Sequence, residues 1–418
     1  MESAKTYIRT IIIALTAVLA SCSPDWDQDL YIDYTESIGS NPGNRVPSSE
    51  KRDVLLLYSA GHNSLSSYLR EDIEDLCSGW LPGDRRSDDV LLIYSHLPAA
   101  GGYKTPSSPT LTRLYINGAG EAVRDTLVIY GEETISASAA QLNEVLTYVK
   151  EAFPARGYGM IFSSHATGYL PEKYYQKPGD YIYDGEASQM SVGQDVHDNS
   201  SYEIELRDFA EAIPLKLDYI LFDACLMGGV EVAYELSGKC GKVGYSQAEV
   251  LAEGFNYRTL TTHLLQNEVP DPESVCSDYF EQYDIQEGVY RSATISLIDC
   301  DRLEPLASLC KDLFDKYRNG LDYINPSHVQ RFYRSGKHWF YDLESILANA
   351  GASAADLEKL HDVLDGCVIY KGHTPSFMNE FDIHTFSGFS MYLPCNGSYQ
   401  LDLYYKGLKW NKATGLVP

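Results

Sequence analysis

The chain has 418 residues, 44% of them hydrophobic and 22% charged, enough for two to three average domains or one large domain with insertions. Fifty-nine acidic against thirty-three basic residues give a net charge of −26, which argues against nucleic acid and anionic lipid as partners and favours cationic ones. None of the nine cysteines has C-x-x-C spacing, so zinc and thioredoxin-type chemistry find no support, and no disulfide is assigned.

The first segment reads as a targeting signal. Lys5 and Arg9 precede an apolar run, Ile11 to Leu19, that is too short to span a bilayer as a helix. It ends in Leu19-Ala20-Ser21-Cys22, which resembles the lipobox of bacterial lipoproteins. That resemblance implies a signal peptide over residues 1–22, lipidation of Cys22 and a place in the cell envelope, anchored in a membrane through the N-terminal lipid. Residues 23–52 are polar and rich in Ser, Pro and Asn, the composition of a flexible linker.

From Arg52 to about Tyr257 strand and helix patterns alternate. Continuous apolar runs at Val54–Tyr58, Val90–Tyr94, Met160–Ser163, Tyr219–Phe222 and Val243–Tyr245 predict strands buried on both faces. Leu111–Ile116 and Thr126–Tyr130 predict strands with a wetter face. Helix-period segments are expected at Ser67–Trp80, Ser136–Phe153, Ile204–Ala212 and Leu226–Leu236. The pattern specifies an α/β fold, with a mainly parallel sheet covered by helices on both faces. Residues 170–203 form a long loop without clear period. Beyond 258 helices dominate, at Pro272–Tyr283, Asp301–Tyr317, Tyr341–Ala350 and Ala354–Leu364, joined by strand candidates at Ala293–Ile298 and Phe389–Leu393.

In parallel sheets the working residues gather at the C-terminal strand ends. His165 follows the strand Met160–Ser163, and Cys225 follows Tyr219–Phe222 where the pattern turns directly into a helix. A thiol at a helix N-terminus is expected to favour the thiolate, and an imidazole nearby exchanges protons near neutral pH. Together they are the parts of a cysteine hydrolase. His62 also follows an apolar strand directly and is the fallback base. Asp223 shares a strand face with Cys225, because side chains alternate with period two. It reads either as an anionic wall for a basic substrate side chain or as the N-cap of the next helix.

Several segments resemble the clostripain family of cysteine peptidases, part of the caspase-like group with gingipains and legumains. They are Val54–Tyr58, Tyr158–Ile161 running into His165, Phe222-Asp223-Ala224-Cys225-Leu226-Met227, Val230–Leu236, Phe340–Leu343 and Ser387–Pro394. The resemblance implies a caspase-like αβα sandwich over residues 53–260, with 261–418 as a helix-rich C-terminal subdomain packing on it. It implies a Cys225–His165 dyad, cleavage of peptides after Arg or Lys, and an oxyanion held by the N–H groups of Cys225 and Ala166. Ala166 stands where the family has Gly, and small Ser163-Ser164 replace an aromatic. The family's second acid falls on Glu253, with Glu249 as runner-up. No cofactor is required and no metal ligands are assigned. Calcium stays open, although no EF-hand spacing appears.

Lys173 and Lys177, between the two catalytic candidates, suggest self-cleavage as a regulatory step. Two other readings remain: a binding protein that kept the fold and lost the catalysis, and a cysteine hydrolase of non-basic peptides.

Overall fold

The computed structural model describes residues 52–98, 105–171, 192–197, 200–334 and 339–418. Cys22, Lys173 and Lys177 lie outside the described residues. The strands in chain order are β1 (Asp53–Ala60), β2 (Val90–His96), β3 (Thr110–Ile116), β4 (Ala122–Ile129), β5 (Gly157–Ser163) and β6 (Val192–His197). They continue with β7 (Ser200–Ile204), β8 (Leu217–Asp223), β9 (Cys240–Tyr245), β10 (Thr294–Asp299), β11 (Tyr341–Asp342) and β12 (Val368–His373).

Nine of these form one sheet in the order β12-β10-β9-β8-β5-β1-β2-β3-β4. The five central strands, from β9 to β2, are parallel, and the strands outside them pair antiparallel. The fold is therefore a caspase-like αβα sandwich with a mainly parallel core. Segments on both sides of residue 260 contribute strands to the sheet.

Both faces of the centre are covered, which is why its strands read as unbroken apolar runs. All eight residues of β1 are buried. On one face Leu55, Leu57, Leu91, Ile93, Ile161 and Leu221 pack against helix α1 (Ser66–Ser78) and other elements of a single core cluster. The alternate residues carry an aromatic stack on the other face. Tyr58 lies 4.4 Å from Tyr94 and 5.5 Å from Phe162, and Phe162 lies edge-on to Phe209, 5.2 Å away. Such pairs contribute roughly 0.5–1.5 kcal/mol each beyond their area.

Helix α2 (Ala139–Ala152) begins later than the sequence pattern suggests. Ser138, not Ser136, caps it by accepting from the Gln141 N–H at 3.2 Å. Ser136 is instead buried against Tyr94 and His96. Helix α3 (Leu206–Ala212) follows β7, and helix α4 (Val230–Leu236) follows β8 only after a six-residue connection from Ala224 to Gly229. Phe389–Leu393, expected as a strand, pairs only over Ser390–Met391, with β11. The stretch 170–203, expected as a loop, contains β6 and most of β7, paired as an antiparallel hairpin. Strand β12 was not anticipated either. It runs on directly from the helix Ala354–Cys367 with no turn residue between them to mark a boundary.

Candidate active site

His165 and Cys225 follow adjacent parallel strands. Ser163, the last residue of β5, is in register with Asp223, the last of β8. Both candidates line one cleft of about 130 Å³, with Asp72, Asp223, Ser163 and Ser164 among its walls. A larger groove of about 570 Å³, lined by Gln330, Arg331 and His384 among others, holds neither of them.

The turn that carries Cys225 differs from the expectation. Leu226 adopts a left-handed conformation with φ 63°, and α4 starts only at Val230, with Gly229 as its N-cap. The thiol therefore does not sit at a helix N-terminus, and the dipole argument for a thiolate does not apply to it. The Cys225–Gly228 segment instead runs beside the stretch after β9. Leu226 N–H donates to Ala248 O at 2.8 Å, and Gly228 N–H to Ser246 O at 2.7 Å. A Cβ at Gly228 would meet the Gln247 backbone, so glycine is required there. Burial pushes the Cys225 thiol up to about 11, with the nearby Glu249 charge adding to the shift. The Val250 N–H points at its sulfur from 3.4 Å.

Burial also lowers the His165 imidazole. Its Nε2 is 2.9 Å from the Ser64 hydroxyl, at the C-terminal end of a third strand, β1. A thiol pushed up and an imidazole pushed down leave both groups neutral at rest. The loops bearing them touch: Gly168, with φ 66°, packs so tightly on Leu226 that a Cβ would strike its carbonyl oxygen. Ala166 is buried and paired by a backbone bridge to Val192. It is not among the described non-glycine residues with positive φ, so its methyl group causes no backbone strain.

Asp223 does not cap a helix. Its carboxylate accepts from the Tyr257 hydroxyl at 2.7 Å, with the Ser163 hydroxyl 3.5 Å away. Burial raises its pKa, and its hydrogen bonds to Tyr257, the Phe255 N–H and Ser163 pull the other way. Asp72 on α1, not among the site residues expected from the sequence, joins it in the cleft wall. Burial raises Asp72 strongly, and repulsion from Asp223, Asp75, Glu71 and Glu253 adds to this. No hydrogen bond or ion pair reaches the Asp72 carboxylate among the described residues. The signal was present in the sequence, since Asp72 falls on the buried face of α1 with Leu69, Ile73 and Leu76. A charge on an apolar stripe needs a partner.

Glu253 is exposed, and its charge acts on the cleft through Asp72. Glu249 is held by Arg334 at 2.9 Å. His62 stands outside the cleft, in a buried group with His96, Asp195 and His197.

These features define the class. The clostripain family matches residues 57–404, and the chain belongs to that family of cysteine peptidases. Its structure is similar to the inactive zymogen C11 protease from Parabacteroides distasonis, at 26% identity and a TM-score of 0.72 over 88% of this chain and 99% of that one. It is also similar to a secreted C11 cysteine protease from Bacteroides thetaiotaomicron, in complex with an irreversible peptide inhibitor. There the identity is 23% and the TM-score 0.70, over 87% and 99% of the two chains, and the likeness is one of fold. No curated protein matches the chain significantly in sequence. Among the described residues no helix is long and apolar enough to cross a membrane.

Proposed function

We propose that the chain is an endopeptidase that cleaves after Arg or Lys, with Cys225 as nucleophile and His165 as its base. The observation that carries this reading is the pair of buried carboxylates, Asp72 and Asp223, lining the cleft that also holds both reacting groups. Burial raises both carboxyls, to about 9 for Asp72 and about 6 for Asp223, so near neutral pH Asp72 keeps its proton while the cleft is empty. A guanidinium or ammonium entering between them would favour the charged form of both and gain charge-assisted hydrogen bonds.

The reaction follows from the neutral pair. On substrate binding His165 takes the Cys225 proton, and the thiolate attacks the carbonyl carbon after the basic residue. The N–H groups of Cys225 and Ala166 hold the oxyanion. His165 returns the proton to the leaving amine, and water then clears the thioester. No step draws on a cofactor. Lipidation of Cys22 would hold the enzyme at the cell envelope, facing protein substrates with basic residues.

The test is hydrolysis of fluorogenic peptides ending in Arg, Lys, Ala or Asp by residues 23–418, beside Cys225→Ala. Cleavage after Arg or Lys that vanishes in the variant is expected. Cleavage only after the other residues would keep the nucleophile and discard the acidic pocket. Incorporation of a labelled fatty acid by the full chain, lost in Cys22→Ser, checks the anchor.

A further inference from the structure

Three histidines and one aspartate converge outside the cleft in a way that peptide hydrolysis does not explain. His62 lies two residues beyond β1, and His96 ends β2. Asp195 and His197 lie on one face of β6, two residues apart. One ring nitrogen from each histidine lies within 4.8 Å of those of the other two. Asp195 sits among them, its oxygens 3.4 Å from His62 Nδ1, 3.2 Å from His96 Nδ1 and 3.0 Å from His197 Nε2. Asp195 and His96 are fully buried, His62 is 2% exposed and His197 14% exposed.

Two details point to a ligand. Asp195 Oδ1 and His197 Nε2 lie 3.0 Å apart in an ion-pair contact that falls short of hydrogen-bond geometry, so two buried polar atoms face a common point with no hydrogen-bond partner among the described residues. The far nitrogens of two rings are already held by carbonyl oxygens. His62 Nε2 donates to Thr105 O at 3.0 Å, and His96 Nε2 to Ser107 O at 3.0 Å. Metal-bound histidines are oriented in this way, the outer N–H on a carbonyl and the inner nitrogen on the ion.

We infer that His62 Nδ1, His96 Nδ1, His197 Nε2 and Asp195 form a binding site for a divalent transition metal of the zinc class. Three imidazoles with one carboxylate suit zinc or cobalt and do not suit calcium, which takes oxygen ligands. Zinc–nitrogen bonds of about 2.0–2.1 Å set tetrahedral ligand atoms about 3.3 Å apart, so the group closes with side-chain shifts on the order of 1 Å. His62 Nδ1 also lies 2.8 Å from Val196 O, a contact that a bound ion would displace.

The site joins the ends of β1 and β2 to the strand that follows the long segment between His165 and Cys225. The next two residues after His62 reach the catalytic side. Asn63 donates to Ala60 O and Gln194 O, and the Ser64 hydroxyl meets His165. Metal would thereby brace the turn that positions His165. This assignment does not depend on the peptidase reading.

The experiment is a cobalt(II) titration of purified residues 23–418, stripped beforehand with a chelator. Visible bands of a tetrahedral nitrogen–oxygen site should saturate at one equivalent and be displaced by zinc. In Asp195→Asn and His197→Ala the bands should vanish or binding weaken by more than about tenfold. His361→Ala, altering an exposed histidine elsewhere, should leave them intact. Absence of the bands in the stripped wild type, or their survival in both site variants, overturns the proposal. If the variants fail to fold, X-ray absorption of the zinc-loaded wild type decides, with three imidazoles per zinc expected and one or none overturning it.

Discussion

The Ser64 hydroxyl lies 2.9 Å from His165 Nε2, joining the ends of β1 and β5 at the imidazole. The contact fixes which ring nitrogen is free to face the thiol. Ser64→Ala should lower kcat by about three- to tenfold with little change in KM, the worth of one hydrogen bond. Ser64→Thr should restore most of the loss. Steady-state kinetics on an Arg peptide checks both, and an unchanged kcat in Ser64→Ala would remove Ser64 from the mechanism.

The two buried acids should set specificity. Asp72→Asn or Asp223→Asn should each cut kcat/KM for Arg and Lys peptides by roughly ten- to a hundredfold, as expected for a charge-assisted bond of about 1.5–3 kcal/mol. Turnover of an Ala peptide should change far less. Equal losses on both substrates would mean that the acids only support the fold.

The same acids make stability depend on pH. Their folded pKa values are raised, to about 6 for Asp223 and about 9 for Asp72, so the folded chain binds more protons than the unfolded one. Stability therefore falls as pH rises from the ordinary carboxylate range near 4 through these values. Thermal melts should show Tm declining toward pH 9, less steeply in Asp72→Asn. Agmatine, a guanidinium ligand, should raise Tm more at pH 8 than at pH 5. A Tm that climbs through this range would contradict the assignment.

Neutral resting groups predict a slow thiol. Alkylation of Cys225 by iodoacetamide should accelerate about tenfold per pH unit up to pH 10, following the thiolate fraction. A rate already flat between pH 6 and 9 would show a preformed ion pair instead. Mass spectrometry of the labelled peptide reads the site directly.

Gly168→Ala tests the contact between the two loops. The new methyl group meets the Leu226 carbonyl at a backbone φ of 66°, costing about 1–3 kcal/mol. Tm should drop by several degrees, and activity should fall further than Tm accounts for.

Much of the centre was legible in the chain. The runs at β1, β2, β5, β8 and β9 are apolar without alternation, and only burial on both faces gives that pattern, so the parallel sheet followed. Placing His165 and Cys225 at strand ends followed too, because topology puts C-terminal ends on one edge. The start of α4 was not legible. Leu226, Met227 and Val230 fit a helical stripe, yet backbone bonds to Ala248 and Ser246 and the left-handed Leu226 hold the chain in a non-helical turn past Cys225.

The local sequence, through apolar runs and periodicity, determined the strands, the sheet type and the edge at which His165 and Cys225 stand. Tertiary structure alone decided their environments. Burial, which removes water whatever the neighbours in sequence, made the thiol a weak acid and the imidazole a weak base. It also brought Asp72, distant in the chain, beside Asp223. The convergence of His62, His96, Asp195 and His197 is likewise invisible in spacing, because the ends of β1 and β2 and the separate β6–β7 hairpin supply it and only the tertiary fold brings them together.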